Sequence, residues 1–139
     1  MEKNTYKLLN IILLESEFKR LEQIQFSQEF KSDLQIGVQN NIKENKITVT
    51  LEVKFNAKHE EIEYIFARIK MTGIFEFPTG NKNIVPSPNE FAQINGPAII
   101  FPFIREHLAT VTLKAGIPPI LLPPINFVKL SRAHKDKTD

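Results

Sequence analysis

Cysteine is absent from this chain of 139 residues, which excludes a disulfide scaffold, thiolate zinc sites and cysteine catalysis. Three scattered histidines do not make a His-based metal site, and no cofactor is implied. Glycine is scarce, and Gly73, Gly80 and Gly96 stand alone, so no phosphate-cradling loop is present. Neither sign of charge is in excess. Lys+Arg total 18 against 16 Asp+Glu, a formal +2, too mild for a nucleic-acid partner, which calls for a basic face with stacking aromatics. Long apolar runs are missing too, all falling far short of the about 18 residues of a membrane span, so no membrane insertion is expected. Lys3 and Lys7 precede the short run Leu8–Leu14, but Glu15, Glu17, Lys19 and Arg20 follow it with no small-residue cleavage pattern. The run therefore reads as mature structure, and the chain as cytoplasmic. Proline is missing from the first half altogether. None of the 9 precedes Pro78, and six lie between Pro97 and Pro124.

What is present suits a single globular domain: 42% hydrophobic and 24% charged residues, with 11 phenylalanines and no tryptophan. The clearest element is Lys46–Ala57. There Ile47, Val49, Leu51, Val53, Phe55 and Ala57 alternate with polar residues, the pattern of a half-buried antiparallel strand. Leu34, Ile36 and Val38 alternate before it, with a turn expected over Asn40–Asn45 and a second over Lys58–Glu60. Glu61–Met71 reads as a strand apolar on both faces, covered on each by a helix or another subunit. Thr5–Leu21 is ambiguous between helix and strand. A three-stranded meander gains from a fourth partner, which favours strand.

The character changes after Gly73-Ile74-Phe75-Glu76-Phe77-Pro78. Ser87-Pro88-Asn89-Glu90 is a capping box that opens a short helix. Asn95-Gly96-Pro97 is expected to break it and start a longer helix, kinked by Pro102 and stopped at Gly116. Ile117–Phe127 then carries two Pro-Pro pairs among aliphatic residues, an extended apolar loop that cannot join a ladder and must lie on or line an apolar surface. The domain is expected to span 1–128. A polar tail that frays, with room for at most a stub of helix, is expected over 129–139.

Gly96-Pro97-Ala98-Ile99-Ile100-Phe101-Pro102-Phe103-Ile104-Arg105-Glu106 resembles the helix motif of the SecB family of bacterial protein-export chaperones. Gly116–Phe127 is similar to that family's proline-rich loop, and Gly73-Ile74-Phe75 matches the end of its fourth strand. These segments cover roughly 72–127; the N-terminal half matches only as a pattern of strands, with Phe18 as an anchor. The resemblance implies an α+β fold, a four-stranded antiparallel sheet followed by a kinked long helix. It implies assembly as a homotetramer, a dimer of dimers. It also implies an ATP-independent holdase, not an enzyme, whose partner is unfolded polypeptide held in apolar grooves. Where members docking the motor SecA carry acidic contacts on the sheet, this chain holds Lys19 and Arg68, a reversal that weakens such docking. Relatives of this kind include chaperones dedicated to a toxin–antitoxin pair, which makes an antitoxin a candidate client.

The client-binding candidates are Phe75, Phe77, Phe101, Phe103, Ile117, Ile120, Leu121, Leu122, Ile125 and Phe127. For any one phenylalanine, plain core is an equally good reading. Arg105-Glu106-His107 lacks the base, orienting group and pocket of a catalytic site, so an ion pair or solvated face is the simpler account. The basic residues Lys129, Arg132, Lys135 and Lys137 read as a solvated tail. Two other classes stay open: a hotdog-like enzyme or small-ligand binder, which predicts an acid or histidine at the helix start instead of Pro97-Ala98-Ile99-Ile100, and a structural oligomer without peptide binding.

Overall fold

Alternating strands without proline pair into ladders, and the chain's first half does so. The computed structural model describes residues 5–80 and 83–138. Four antiparallel strands, β1 (Lys7–Arg20), β2 (Lys31–Lys43), β3 (Lys46–His59) and β4 (Ile62–Glu76), form one sheet in the order β1-β4-β3-β2. The hairpin turns are tighter than expected. One is Glu44-Asn45, with Glu44 at φ +58°, and the other is Glu60-Glu61, at φ +50° and +67°. Positive φ at both central residues, as in Glu60-Glu61, or at the first alone, as at Glu44, matches the right-handed twist of the flanking strands.

Beyond the sheet, the chain turns helical through α1 (Pro88–Glu90), a π-helical turn (Phe91–Asn95) and α2 (Gly96–Lys114). The Ser87 side chain accepts from the Glu90 N–H, as the capping box requires. The expected break at Asn95-Gly96-Pro97 does not occur. Pro97 has no N–H to give, and the widened turn absorbs it, the Gly96 N–H reaching back to the Phe91 carbonyl. Gly96 also allows close approach, since a Cβ there would stand 2.9 Å from Val49 Cγ2. At the other end, Gly116 (φ +74°) closes α2. Its N–H donates to the Leu113 carbonyl at 3.1 Å and that of Ile117 to Thr112 at 3.2 Å, a Schellman motif.

One face of the sheet meets α2. Ile47, Val49, Leu51, Val53, Ala67, Ile69, Met71 and Phe75 pack against Ile100, Phe101, Ile104 and Leu108 in a single core. Spacing of four along α2 keeps Ile100, Ile104 and Leu108 on that face. Two polar ties hold α2 to β1: Ser16 Oγ and His107 Nε2 share a hydrogen bond of 2.8 Å, and Arg20 Nη1 donates to the Ala115 carbonyl. Tyr6 pins the start of β1 by stacking on Phe91 with ring centroids 3.9 Å apart, while its hydroxyl donates to the Pro86 carbonyl.

The C-terminal segment corrects the expectation of a fraying tail. Helix α3 spans Phe127–Thr138. Asn126 caps it, its side chain accepting from the Lys129 N–H at 3.0 Å; Leu130 packs on the core, and Ser131 Oγ donates to Gln93 Oε1 at 3.0 Å. Asp139 lies outside the described residues, as do Lys3 and the Asn81-Lys82 portion of the loop before Pro86. The side chains of Lys135 and Lys137 also lie outside the description. No described helix is long and apolar enough to cross a membrane.

Candidate functional site

Ile117–Phe127 leaves the end of α2 and runs back along it, extended, until α3 begins. Prolines at four of its positions leave it few N–H donors. Beyond the backbone bond of Ile117 at its start, side chains on α2 serve its middle. The Ile120 N–H donates to Thr112 Oγ1 at 3.0 Å, and Arg105 Nε donates to the Leu122 carbonyl at 2.8 Å. Thr112 is fully buried, and its own hydroxyl proton goes to the Leu108 carbonyl at 2.9 Å, with Ala109 at 3.1 Å. At the far end Phe127 meets Phe101 edge to face, centroids 5.9 Å apart.

Held this way, loop and helix enclose an open groove of about 450 Å³. Phe101, Leu121, Pro124, Ile125 and Phe127 line it together with Ala98, Pro102 and Ala109; Arg105 and Glu106 are the charged residues of the lining. The candidates from sequence thus divide. Leu121, at 66% exposure, and Ile125 face the groove, and Phe101 and Phe127 also line it although each is largely buried. Phe103 is 47% exposed on the outward side of α2. Ile120 is half-buried against the core.

Four others stand apart. Phe75 (0% exposed) and Leu122 (1%) fill the central core, and Ile117 (4%) closes a smaller cluster with Ala57 and Ile65. These three present no area to the groove; the sheet's inner face and the loop's underside need exactly such large apolar side chains to exclude water. Phe77 is half-buried against Tyr6, centroids 6.0 Å apart, in the aromatic cluster at the other end of the core. Sequence reasoning passed over Arg105 as a solvated residue and did not single out Thr112. The signal for both was the loop's own shortage of donors, which obliges a neighbour to serve its backbone.

Lys19 and Arg68 share the sheet's outer face, opposite α2. The register pairs Arg68 with Glu17 and Lys19 with Phe66. Arg68 does not stand as a free positive charge. Its guanidinium meets Glu15 at 2.7 Å and Glu52 at 3.0 Å, and Lys19 meets Glu17 at 3.2 Å. The hydrogen bond with Glu52 raises the Arg68 guanidinium above its usual range; desolvation opposes it, and the nearby carboxylates of Glu15, Glu52 and Glu17 add to the rise. The face is a balanced lattice of both signs. These pairs are solvent-exposed and contribute little to stability.

Among the described residues, two apolar surfaces stay uncovered. β1 is a sheet edge on which Leu8, Leu9, Ile12, Leu13 and Leu14 are 38–52% exposed. Ile99, Phe103 and Leu113 are exposed on α2.

Comparison with known proteins gives this arrangement a family. The model of the SecB family, described as preprotein translocase subunit SecB, matches residues 16–138. Protein-export protein SecB of Nitrobacter hamburgensis is 30% identical over 105 residues, 75% of this chain and 64% of its own length. The SecB of Nitrobacter winogradskyi is 32% identical over 108 residues, 76% of this chain and 65% of its own. The chain therefore spans a little under two thirds of the curated relatives it matches. Among solved structures, the SecB-like chaperone of Mycobacterium tuberculosis, in complex with a ChAD peptide from an antitoxin, has the same fold. Its TM-score is 0.73 at 16% identity, covering 86% of this chain and 90% of that one.

Proposed function

The chain belongs to the SecB family, and from that premise we propose that it is an ATP-independent holdase that keeps unfolded polypeptide in an apolar groove. The groove between α2 and the loop carries this reading. Its wall is aromatic and aliphatic, with little hydrogen-bond demand, which suits sequence-tolerant capture of apolar side chains. The client-facing set is Leu121, Ile125, Phe101 and Phe127, with Phe103 beside them; Leu122, Ile117 and Phe75 support them from within. No covalent chemistry is required, and the start of α2 is apolar, with Pro97 and Ile100 buried, which leaves a hotdog-type enzyme without its base.

Assembly completes the reading. A 14-residue edge strand with exposed leucines is a template for pairing with another chain, and the exposed apolar residues of α2 offer a second contact. A homotetramer, a dimer of dimers built on these two surfaces, would join short grooves into a long one, so that weak contacts add as avidity. The cytoplasm is its expected compartment. Dedication to one client, such as an antitoxin, is the preferred form of this function. The fold neighbour bound to an antitoxin peptide supports it, and so does the balanced outer face, which offers SecA no acidic handle at Lys19 or Arg68.

Suppression of aggregation of a chemically denatured substrate tests the reading. Stoichiometric tetramer should hold the substrate in solution. No suppression would remove the general holdase and leave the dedicated one, which predicts a single tight client recovered by affinity capture and mass spectrometry. Tight binding of neither denatured substrate nor any one client would leave the structural oligomer in its place.

A further inference from the structure

Arg105 and Thr112 stand seven residues apart on α2, two turns along one side of the helix. The loop atoms they hold come in the opposite order. Thr112 takes the Ile120 N–H and Arg105 takes the Leu122 carbonyl, so the loop runs antiparallel to the helix. The two anchors are about 10.5 Å apart along the axis, whereas two extended residues span about 7 Å. A long side chain has to close the difference at position 105. Between the two anchored residues sits Leu121, 66% exposed over the groove, and next to it Leu122, 1% exposed in the core. With Ile120 and Leu122 both fixed, the loop has no freedom to turn Leu121 inward.

We propose that Arg105 and Thr112 are positioning residues that clamp the loop, fix the width of the groove and hold Leu121 on its client-facing side. This rests on the holdase reading for its consequence, though the clamp itself is independent of any client. A loop stiffened by proline and pinned at two points has little entropy to lose when polypeptide arrives, so the groove is preorganised. Arg105 acts through a short, directed Nε–H bond at 2.8 Å, which salt screens little; its effect on binding should therefore tolerate salt.

The test uses the full chain with Arg105→Met, which keeps the aliphatic stem and removes the donor, and Arg105→Lys, which restores a donor. Amide exchange at Ile120, whose N–H bonds to Thr112, should be about tenfold faster in Arg105→Met. The β3 amides should be unchanged and Arg105→Lys intermediate. The affinity for a denatured polypeptide should fall about tenfold in Arg105→Met, with the same ratio at low and at moderate salt. Unchanged Ile120 exchange would overturn the clamp. Faster exchange with unaltered affinity would overturn its role in positioning, and a parallel rise in β3 exchange would reduce Arg105 to a general stabilising contact. If the unaltered protein captures no polypeptide, the holdase reading falls, and the exchange measurement alone then decides the clamp.

Discussion

β3 and the loop Ile117–Phe127 both carry recurrent apolar side chains, and they end in opposite situations. β3 is paired on both sides, so alternation sends Ile47, Val49, Leu51 and Val53 under α2, where each is at most 2% exposed. Its apolar face is fully used by the chain itself. The loop has no ladder. Side chains hold it at Ile120 and Leu122, and its apolar residues split, with Leu122 and Phe127 buried and Leu121 and Ile125 on the groove. Hydrophobicity alone does not distinguish core from binding surface. What distinguishes them is how the backbone is satisfied. A ladder fixes alternation against a core, whereas a proline-stiffened segment pinned at points keeps an apolar side outside without collapsing or pairing.

The strongest way to break the contrast is Leu122→Asp. A carboxylate in a site 1% exposed should cost at least about 4 kcal/mol and leave little folded protein, as seen by circular dichroism and calorimetry. On the sheet side, Gly73→Ala places a Cβ 2.9 Å from Ile100 Cδ1 and 3.0 Å from Phe75 Cε2. The overpacking should cost about 1–3 kcal/mol, read as a lower urea midpoint at unchanged slope. Leu121→Asp should shift stability by no more than about 0.5 kcal/mol, so that neighbouring leucines given the same substitution differ several-fold in cost.

The smallest effect has a pH signature. Burial, then the charge of Glu90, pushes the Tyr6 phenol above its usual value. The fold therefore favours the neutral phenol. Its contribution is intact below the unfolded value of about 10 and is lost as pH rises through the higher folded one. An absorbance titration at about 295 nm should show a late-ionising tyrosine that disappears in Tyr6→Phe, and thermal melts of that variant should lose less stability at alkaline pH.

Much of the sheet was legible because alternation is a direct image of a ladder. β1 was legible as a strand only through the sheet's need for a fourth partner, not through alternation, and its bulges explain why. Register shifts between Leu8 and Asn10 and between Leu13 and Glu15 put Leu8, Ile11, Leu13, Ser16 and Phe18 on the side facing α2. Steps of three and two break the strict two-residue alternation of a ladder. Asn95-Gly96-Pro97 carries the composition of a break, but a π turn accommodates a missing donor without ending the helix. α3 was hidden by its lysines, since its cap Asn126 and its anchor Leu130 are single residues in a polar run. The loop announced itself through its prolines. Which leucine of Leu121-Leu122 faces out was not legible, because an extended proline-rich segment has no two-residue alternation and its anchors lie on α2, at Thr112 and Arg105.

The central claim is that the outward side of the loop holds polypeptide. Its most direct test is an equilibrium titration of a fluorescently labelled denatured polypeptide, or of the client if only one is captured, with the unaltered protein and with Leu121→Asp at matched oligomeric state. We expect saturable binding by the former and a loss of at least about tenfold in affinity for the latter, since a carboxylate then faces apolar client side chains. Equal affinity for the two proteins would contradict the account and make the loop a packed connector.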